Sequence, residues 1–349
     1  MAAMIHFPHL AQPLLFQQAS PAAWSSPPSV QKKPRKPRPV AFTAAAASYY
    51  RSRSPFMSCS ASSSSTDPGS SGMGERKGSS SSLMDFPYLS PTHKDLMVDL
   101  LVATENRLGP HLLPSSVPPD VLSFQNEPAG TCKGALDIRS GAGGSTVDLI
   151  LESWLHCELP FGVLDITTLF GFLSAETDAP HLFMEFAQNS PTSLVFFVDL
   201  LPRRDLVLHP DYLDHFYQQT PLEQARQRLE TAAEVAPFQP SSLYFRGVLS
   251  PTAIAVSIDC GKEGARSMEE VMRDHVSGAA KEVTRVWLDT CAGGERRVTG
   301  SGDRAGLLER DNLIKTKAVE IDLGSNLPRL FGQDVAGRVV STIQKAFRI

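Results

Sequence analysis

Eight side chains capable of acid, base or thiol chemistry fall between Trp154 and Phe186: His156, Cys157, Glu158, Asp165, Glu176, Asp178, His181 and Glu185. They are set among large apolar residues, the surroundings in which a carboxyl or imidazole departs from its solution behaviour. From Ser145 to Glu158 the chain alternates with period two. Val147, Leu149, Leu151 and Leu155 share one face of a strand, and Asp148, Glu152, Trp154, His156 and Glu158 share the other. An antiparallel strand commonly wets one side, so Asp148 and Glu152 are expected on a solvated face. In the next strand, His181 to Gln188, Glu185 falls on the face of Phe183 and Ala187. A carboxyl against apolar surface keeps its proton, either as a functional acid or as a paired structural one.

Other chemistries leave no trace. No G-x-G-x-x-G follows a strand, and there is no P-loop, H-E-x-x-H or G-x-S-x-G, so a Rossmann nicotinamide or flavin site has no support. Cys59, Cys132, Cys157, Cys260 and Cys291 form no C-x-x-C pair and read as free thiols. His6 and His9 stand near the start and the other histidines are scattered; His275, on the apolar side of a helix, reads as a core residue. What remains is a set of acids beside aromatics: Glu185 beside Phe183 and Phe186, Asp322 within Glu320-Ile321-Asp322-Leu323-Gly324-Ser325, and Asp211 within His209-Pro210-Asp211-Tyr212. That is the chemistry of a large apolar pocket with proton donors and no bound cofactor.

These residues need elements to hold them. Ser90-Pro91-Thr92 opens an amphipathic helix that stops at Gly109-Pro110. Val121 to Glu127, Cys132 to Arg139, Ser145 to Glu158, Val163 to Thr168, His181 to Gln188 and Ser193 to Leu201 read as successive strands, the last covered on both faces. Helices follow from Pro210 through Tyr217 and from Pro221 to Val235, then a strand pair, Ser242 to Leu249 and Thr252 to Asp259. A long helix spans Ser267 to Cys291. Another runs from Arg304 to Lys317, before a short strand-like run, Val319 to Leu323, and a last helix from Pro328 to Phe347. Strands cluster in the middle and helices at both ends, without βαβα alternation. This predicts an α+β fold in which helices cover an antiparallel sheet.

The start of the chain is different. Met1 to Thr66 holds no Asp or Glu, while Lys32, Lys33, Arg35, Lys36, Arg38, Arg51 and Arg53 supply seven positive charges among Ser and Ala. This is the composition of an organelle transit peptide, here 1–58; a disordered Ser/Gly-rich linker, 59–82, and a single domain, 83–349, follow. No apolar run reaches the roughly 20 residues of a membrane span. The whole chain has 33 basic and 37 acidic residues, so without the seven leader cations it is distinctly acidic, which excludes general nucleic-acid binding.

Four blocks of residues are familiar as a set: Phe86-Pro87-Tyr88-Leu89-Ser90-Pro91-Thr92-His93, Ser153-Trp154-Leu155-His156-Cys157-Glu158-Leu159-Pro160, Ala175-Glu176-Thr177-Asp178-Ala179-Pro180 and Glu320 to Ser325. Together they resemble the plant red chlorophyll catabolite reductases from about Leu83 to Ile349. The resemblance implies a fold related to the ferredoxin-dependent bilin reductases, an α/β/α sandwich with a central antiparallel sheet flanked by helices, and a homodimer. It implies a chloroplast transit peptide and a reaction in the stroma or at the thylakoid, with the upstream pheophorbide a oxygenase as a further partner. Reduced ferredoxin supplies single electrons to red chlorophyll catabolite, a linear tetrapyrrole, and a methine-bridge double bond is reduced to give primary fluorescent chlorophyll catabolite. No metal or flavin is bound. The family's two acidic pocket residues align with Glu185 and Asp322, and a pocket residue that influences the product epimer aligns with Leu249. Ferredoxin is acidic, so an acidic chain must meet it through a local basic cluster, with Arg203, Arg204, Arg226, Arg228, Lys315 and Lys317 as candidates. A non-catalytic tetrapyrrole carrier would share the pocket and the leader; the pocket acids favour the enzyme.

Overall fold

The computed structural model describes residues 84–160, 162–298 and 300–349; the transit peptide and linker read from the sequence lie outside them. The strands are β1 (Ser123–Gln125), β2 (Cys132–Ser140), β3 (Val147–Leu159), β4 (Gly162–Leu173), β5 (His181–Ser190), β6 (Ser193–Leu201), β7 (Val235–Pro237) and β8 (Ile254–Asp259). They form one sheet in the order β1-β2-β3-β4-β5-β6-β8-β7, antiparallel at every pairing. From β1 to β6 neighbours in sequence are neighbours in the sheet, as expected for strands joined by short turns.

The helices are α1 (Pro91–Leu108), α2 (Pro119–Leu122), α3 (Pro210–Leu213), α4 (Leu222–Glu230), α5 (Leu243–Val248), α6 (Met268–Val271), α7 (Ser277–Val286), α8 (Ser301–Ala318) and α9 (Gly324–Phe347). Wide π turns extend α3 (Asp214–Gln218), join α6 to α7 (Met272–Val276), extend α7 (Trp287–Ala292) and join α8 to α9 (Val319–Leu323).

Helices cover both faces of the sheet, giving the α/β/α sandwich. On one face Ile150, Leu169, Met184, Phe186, Phe196 and Val256 pack against residues of α1, α4, α6 and α7. Gly171 makes part of that packing possible: a Cβ there would lie 2.3 Å from the ring of Trp287, whose indole N–H donates to the Pro180 carbonyl at 3.1 Å. On the other face Leu136, Leu151, Ile166, Phe170, Phe183 and Phe197 pack against α5, Val319, Leu323 and α9. Burying each such side chain is worth about 1.5–3 kcal/mol.

Two elements differ from the sequence reading. Ser242 to Leu249 is not a strand, because the Ser242 hydroxyl accepts from the Phe245 N–H at 3.3 Å and caps helix α5. Val319 to Leu323 is not a strand either; its alternating apolar residues close the π turn after α8. The face of β3 expected to be solvated is the more exposed one, but it is half-buried over most of its length and only Glu158 near its end is exposed. Glu152 lies under the first helical layer, opposite Asp137 on β2, and burial together with that neighbour pushes its carboxyl up to about 8. Asp148 is enclosed and holds Lys315 at 2.6 Å.

Candidate active site

Strand alternation decides which way each residue of β5 faces. Phe183 and Ala187 belong to the core under α9, whereas Leu182, Met184 and Phe186 belong to the opposite one. Glu185 therefore points into the α9 side with Phe183, while Phe186, expected beside it, lies across the sheet. Its nearest cross-strand neighbours are Thr168 on β4 and Phe197 on β6. Glu185 is 0% exposed, and neither carboxyl oxygen has a hydrogen-bond partner in the protein. Burial drives its carboxyl well above the ordinary glutamate range, and the charge of nearby Asp322 adds to the effect. Glu185 is thus a carboxyl whose protonated form is favoured by an apolar enclosure.

Asp322 reaches the same layer from the π turn between α8 and α9. It is 4% exposed and accepts from the Asn326 side-chain amide at 3.0 Å. Asp322 lines a cavity of about 20 Å³ together with Phe170, Phe183, Phe245, Ala318, Leu323 and Phe347. Leu323 also lines a second cavity of about 20 Å³, between Phe124, Leu136, Leu327 and Ile343. Sites for drug-sized molecules run to roughly 300–1,000 Å³, so a large ligand enters only if the cover formed by 319–323 gives way. That segment is bounded by an irregular helix: α9 contains Pro328, and Gly332 at φ 77° breaks its helical path.

Leu249 follows helix α5, whose Phe245 lines the Asp322 cavity, and it packs partly buried against the same core. The next residue fixes its backbone. Ser250 donates its N–H to Asp199 Oδ2 at 2.8 Å and its hydroxyl to Oδ1 at 2.5 Å. Asp199, on β6 and 2% exposed, is pushed up to about 6 by burial, which the Ser250 bonds oppose. Asp322 lies within electrostatic reach of Glu185, and Leu249 sits partly buried at the border of that layer. Thr168 and Asp199 were missed by the sequence reading; a single polar residue on an otherwise apolar strand face was the available signal.

The other residues of the Trp154–Phe186 stretch go elsewhere. His156 bonds Asp165 at 2.7 Å and stacks on Tyr88, at the outer part of the opposite face. Glu176 pairs with Arg304 at 2.8 Å, and Asp178 with Arg204 at 2.6 Å and Arg296 at 2.7 Å. Asp211 is exposed. His181 bonds Asp311 of α8 at 2.9 Å and accepts from the Leu173 N–H at 3.0 Å, which fixes a neutral imidazole donating to Asp311. Its pKa falls to about 4 because it is buried. The basic cluster read from the sequence also dissolves. Arg203 and Lys315 are buried, Arg204 is held by Asp178, and Arg226 is paired with Glu223 and Glu230. Arg228 is exposed, and Lys317 is half-exposed and paired with Glu320 at 2.6 Å. Among the described residues no three His, Cys, Asp or Glu side chains are grouped as a metal site, and no helix is long and apolar enough to cross a membrane.

Comparison with known proteins gives one consistent result. A family model described as red chlorophyll catabolite reductase matches residues 92–345. Red chlorophyll catabolite reductase 1, chloroplastic, of Oryza sativa subsp. japonica is 46% identical over 258 residues, covering 74% of this chain and 78% of that protein. The chloroplastic red chlorophyll catabolite reductase of Arabidopsis thaliana is 47% identical over 269 residues, covering 76% and 83%. That of Hordeum vulgare is 44% identical over 203 residues, covering 58% and 98%. Among solved structures, phytochromobilin synthase from tomato in complex with biliverdin superposes with a TM-score of 0.57 at 18% identity, covering 73% of this chain and 82% of that one. At that identity the likeness speaks for the fold.

Proposed function

The chain belongs to the red chlorophyll catabolite reductase family, and from that membership we propose that it is an oxidoreductase that reduces red chlorophyll catabolite to primary fluorescent chlorophyll catabolite in the chloroplast. Reduced ferredoxin is the electron donor in this reading, and residues 1–58 are the chloroplast transit peptide. The relatives from rice and Arabidopsis are named chloroplastic, and the sheet-and-helix architecture matches a bilin reductase whose structure holds biliverdin.

Reducing one methine-bridge double bond takes two electrons and two protons. An external one-electron donor supplies the electrons, so the chain's own contribution is to bind the pigment, exclude water and deliver protons. The first electron makes the pigment a radical anion, with negative charge shared by its nitrogen and oxygen atoms. A neighbouring acid that still holds its proton neutralises that charge and lets the second electron follow. Glu185 suits this role: it is fully buried and without a protein partner, and burial favours its protonated form. That observation carries the proposal. Asp322, on the turn between α8 and α9 and within electrostatic reach of Glu185, is the second acid of this reading.

Anaerobic incubation with red chlorophyll catabolite and reduced ferredoxin, read as loss of red colour and gain of fluorescence, tests the activity. Glu185→Gln and Asp322→Asn are expected to retain the pigment's spectral shift on binding while product formation drops by about two to four orders of magnitude. A protein that binds pigment without any turnover would be a carrier, and near-normal turnover in both amide variants would remove the proton-donor assignment.

A further inference from the structure

We propose that the Thr168 hydroxyl is a positioning group for proton delivery: it donates a hydrogen bond to the Glu185 carboxylate once that carboxyl has released its proton to the reduced pigment. The inference rests on the reading of Glu185 above and adds a residue to it.

Even-numbered residues of β4 face the α9 side, and Leu164, Ile166, Phe170 and Phe172 all join its apolar core. Thr168 stands in the middle of that row, 1% exposed, and its hydroxyl has no hydrogen-bond partner. Its neighbour Thr167, facing the opposite layer, does find one, His93 Nε2 at 3.3 Å. A buried hydroxyl without a partner bears its full desolvation penalty, which an aliphatic side chain of the same shape would not. In the antiparallel register Thr168 lies directly opposite Glu185, which puts their Cβ atoms about 4.5–5.5 Å apart. Among the described residues, the unpartnered buried side-chain atoms on this face are Thr168 Oγ1 and the two carboxyl oxygens of Glu185. Three such atoms at one cross-strand position form a polar spot complete only with a ligand or with a change of charge.

The reaction supplies that change. When the O–H bond of Glu185 breaks and its proton passes to the pigment, a carboxylate is left in an apolar layer and needs a donor. Other polar groups of the layer are engaged or acidic. Asp322 comes from 319–323, Asp311 and Lys315 from α8, Asp199 and His181 from the sheet; α5 and α9 present Phe245 and Phe347 to the cavity. Lys315 is held by Asp148, His181 donates to Asp311, and Asp199 accepts from Ser250. Thr168 can rotate its hydroxyl toward the carboxylate while keeping its own proton, so no bond to Thr168 forms or breaks.

Thr168→Val keeps the shape and removes the donor; Thr168→Ser keeps the donor. In the full chain with reduced ferredoxin, Thr168→Val is expected to bind pigment with unchanged affinity and KM while kcat falls about tenfold, the worth of one hydrogen bond to a charged group. Thr168→Ser restores kcat to within about twofold. The alkaline limb of the kcat profile, which reports the acid in the bound complex, moves to higher pH in Thr168→Val, because the carboxylate has lost its donor. Thr168→Val also unfolds at the same or a higher temperature than wild type, the reverse of what a structural hydrogen bond would give. In Glu185→Gln the added Thr168→Val change has no further effect on residual turnover. Wild-type kcat and pH profile in Thr168→Val, no rescue by serine, or an equal loss in the Glu185→Gln background would overturn the inference. Normal turnover in Glu185→Gln itself would instead overturn the reading of Glu185 on which it rests.

Discussion

Arg203, just past the end of β6, grips Asp311 of α8 through two parallel hydrogen bonds, Nε to Oδ1 at 3.1 Å and Nη2 to Oδ2 at 2.5 Å. Its remaining nitrogen donates to the carbonyls of Ser174 and Thr177 at 3.1 and 2.6 Å. His181 occupies the other lone pair of Oδ1. This fully satisfied network ties α8 to the end of the sheet, and α8 leads directly into the turn that carries Asp322. An arginine that reads in the sequence as a surface charge is thereby an internal fastener of α8 to the sheet.

Removing one member of such a network leaves the other charge buried and unpaired. Arg203→Ala is expected to lower the unfolding free energy by about 3–5 kcal/mol, seen as a fall in the urea midpoint. Activity measured well below the new midpoint should fall as well, since the anchor of 301–323 is lost. An unchanged midpoint would show that Asp311 finds compensation elsewhere.

Acid stability follows from His181 and His93, whose pKa values burial lowers to about 4. The unfolded chain, with histidines near 6.5, binds more protons than the folded one between those values, so stability is full above pH 6.5 and is lost as pH falls toward 4. Each histidine contributes a loss on the order of 3 kcal/mol across that window. Asp311 acts lower down: burial would raise it, but His181 and Arg203 overrule burial and hold it at about 2, so its contribution disappears only below about pH 4. Glu185, raised in the fold, works in the opposite sense. Urea midpoints from pH 7.5 to 4.5 in wild type, His93→Gln and His181→Gln isolate the histidines, and a variant curve as steep as that of wild type would contradict this account.

Much of this architecture was legible. Period-two alternation located β3, a nearly unbroken apolar run located β6, and Gly109-Pro110 and Gly293-Gly294 marked the ends of the first and the long later helix because glycine and proline are poor helix residues. The face of Glu185 was legible from the same alternation. Three things were not. The run Val319 to Leu323 alternates like a strand, and only the helices on either side make it a π turn. Tyr244 and Phe245 suit a strand, and a one-residue cap decided for helix. Ion pairing is a matter of distance in space: Arg203 and Asp311 are separated by 108 positions, and nothing local distinguishes Arg203 from the exposed Arg228.

The turn that carries Leu249 is fixed by Asp199 through Ser250, and this gives a test of the stereochemical role proposed for Leu249. Ser250→Ala removes one bond to a buried carboxyl and is expected to cost about 1.5–3 kcal/mol. With the turn loosened, a single product epimer should become a mixture, while ferredoxin dependence stays as in wild type. Chromatographic separation of the fluorescent products reads the ratio. A loss of stability with an unaltered epimer ratio would detach Leu249 from product stereochemistry.

In the proposed reaction, ferredoxin docking requires positive charge near the pocket on a chain whose net charge is negative. With Arg203 and Lys315 buried, the surface beside helix α5 is the better candidate. Tyr244 of α5 lies within electrostatic reach of Arg310 and Lys317, Arg246 is exposed two residues further on, and Leu243 is 75% exposed beside them. The neighbouring Phe245 lines the Asp322 cavity, so a donor docked here would stand close to the pigment. Exposed charges are screened over about 10 Å at 0.1 M salt. Turnover at limiting ferredoxin should therefore fall as salt rises, with KM for ferredoxin changing more than kcat. Arg246→Glu combined with Lys317→Glu should raise that KM at least about tenfold at low salt and flatten the salt dependence. Pigment affinity, read as the spectral shift, should not change. A double variant that keeps the wild-type salt dependence would place the docking surface elsewhere on the protein.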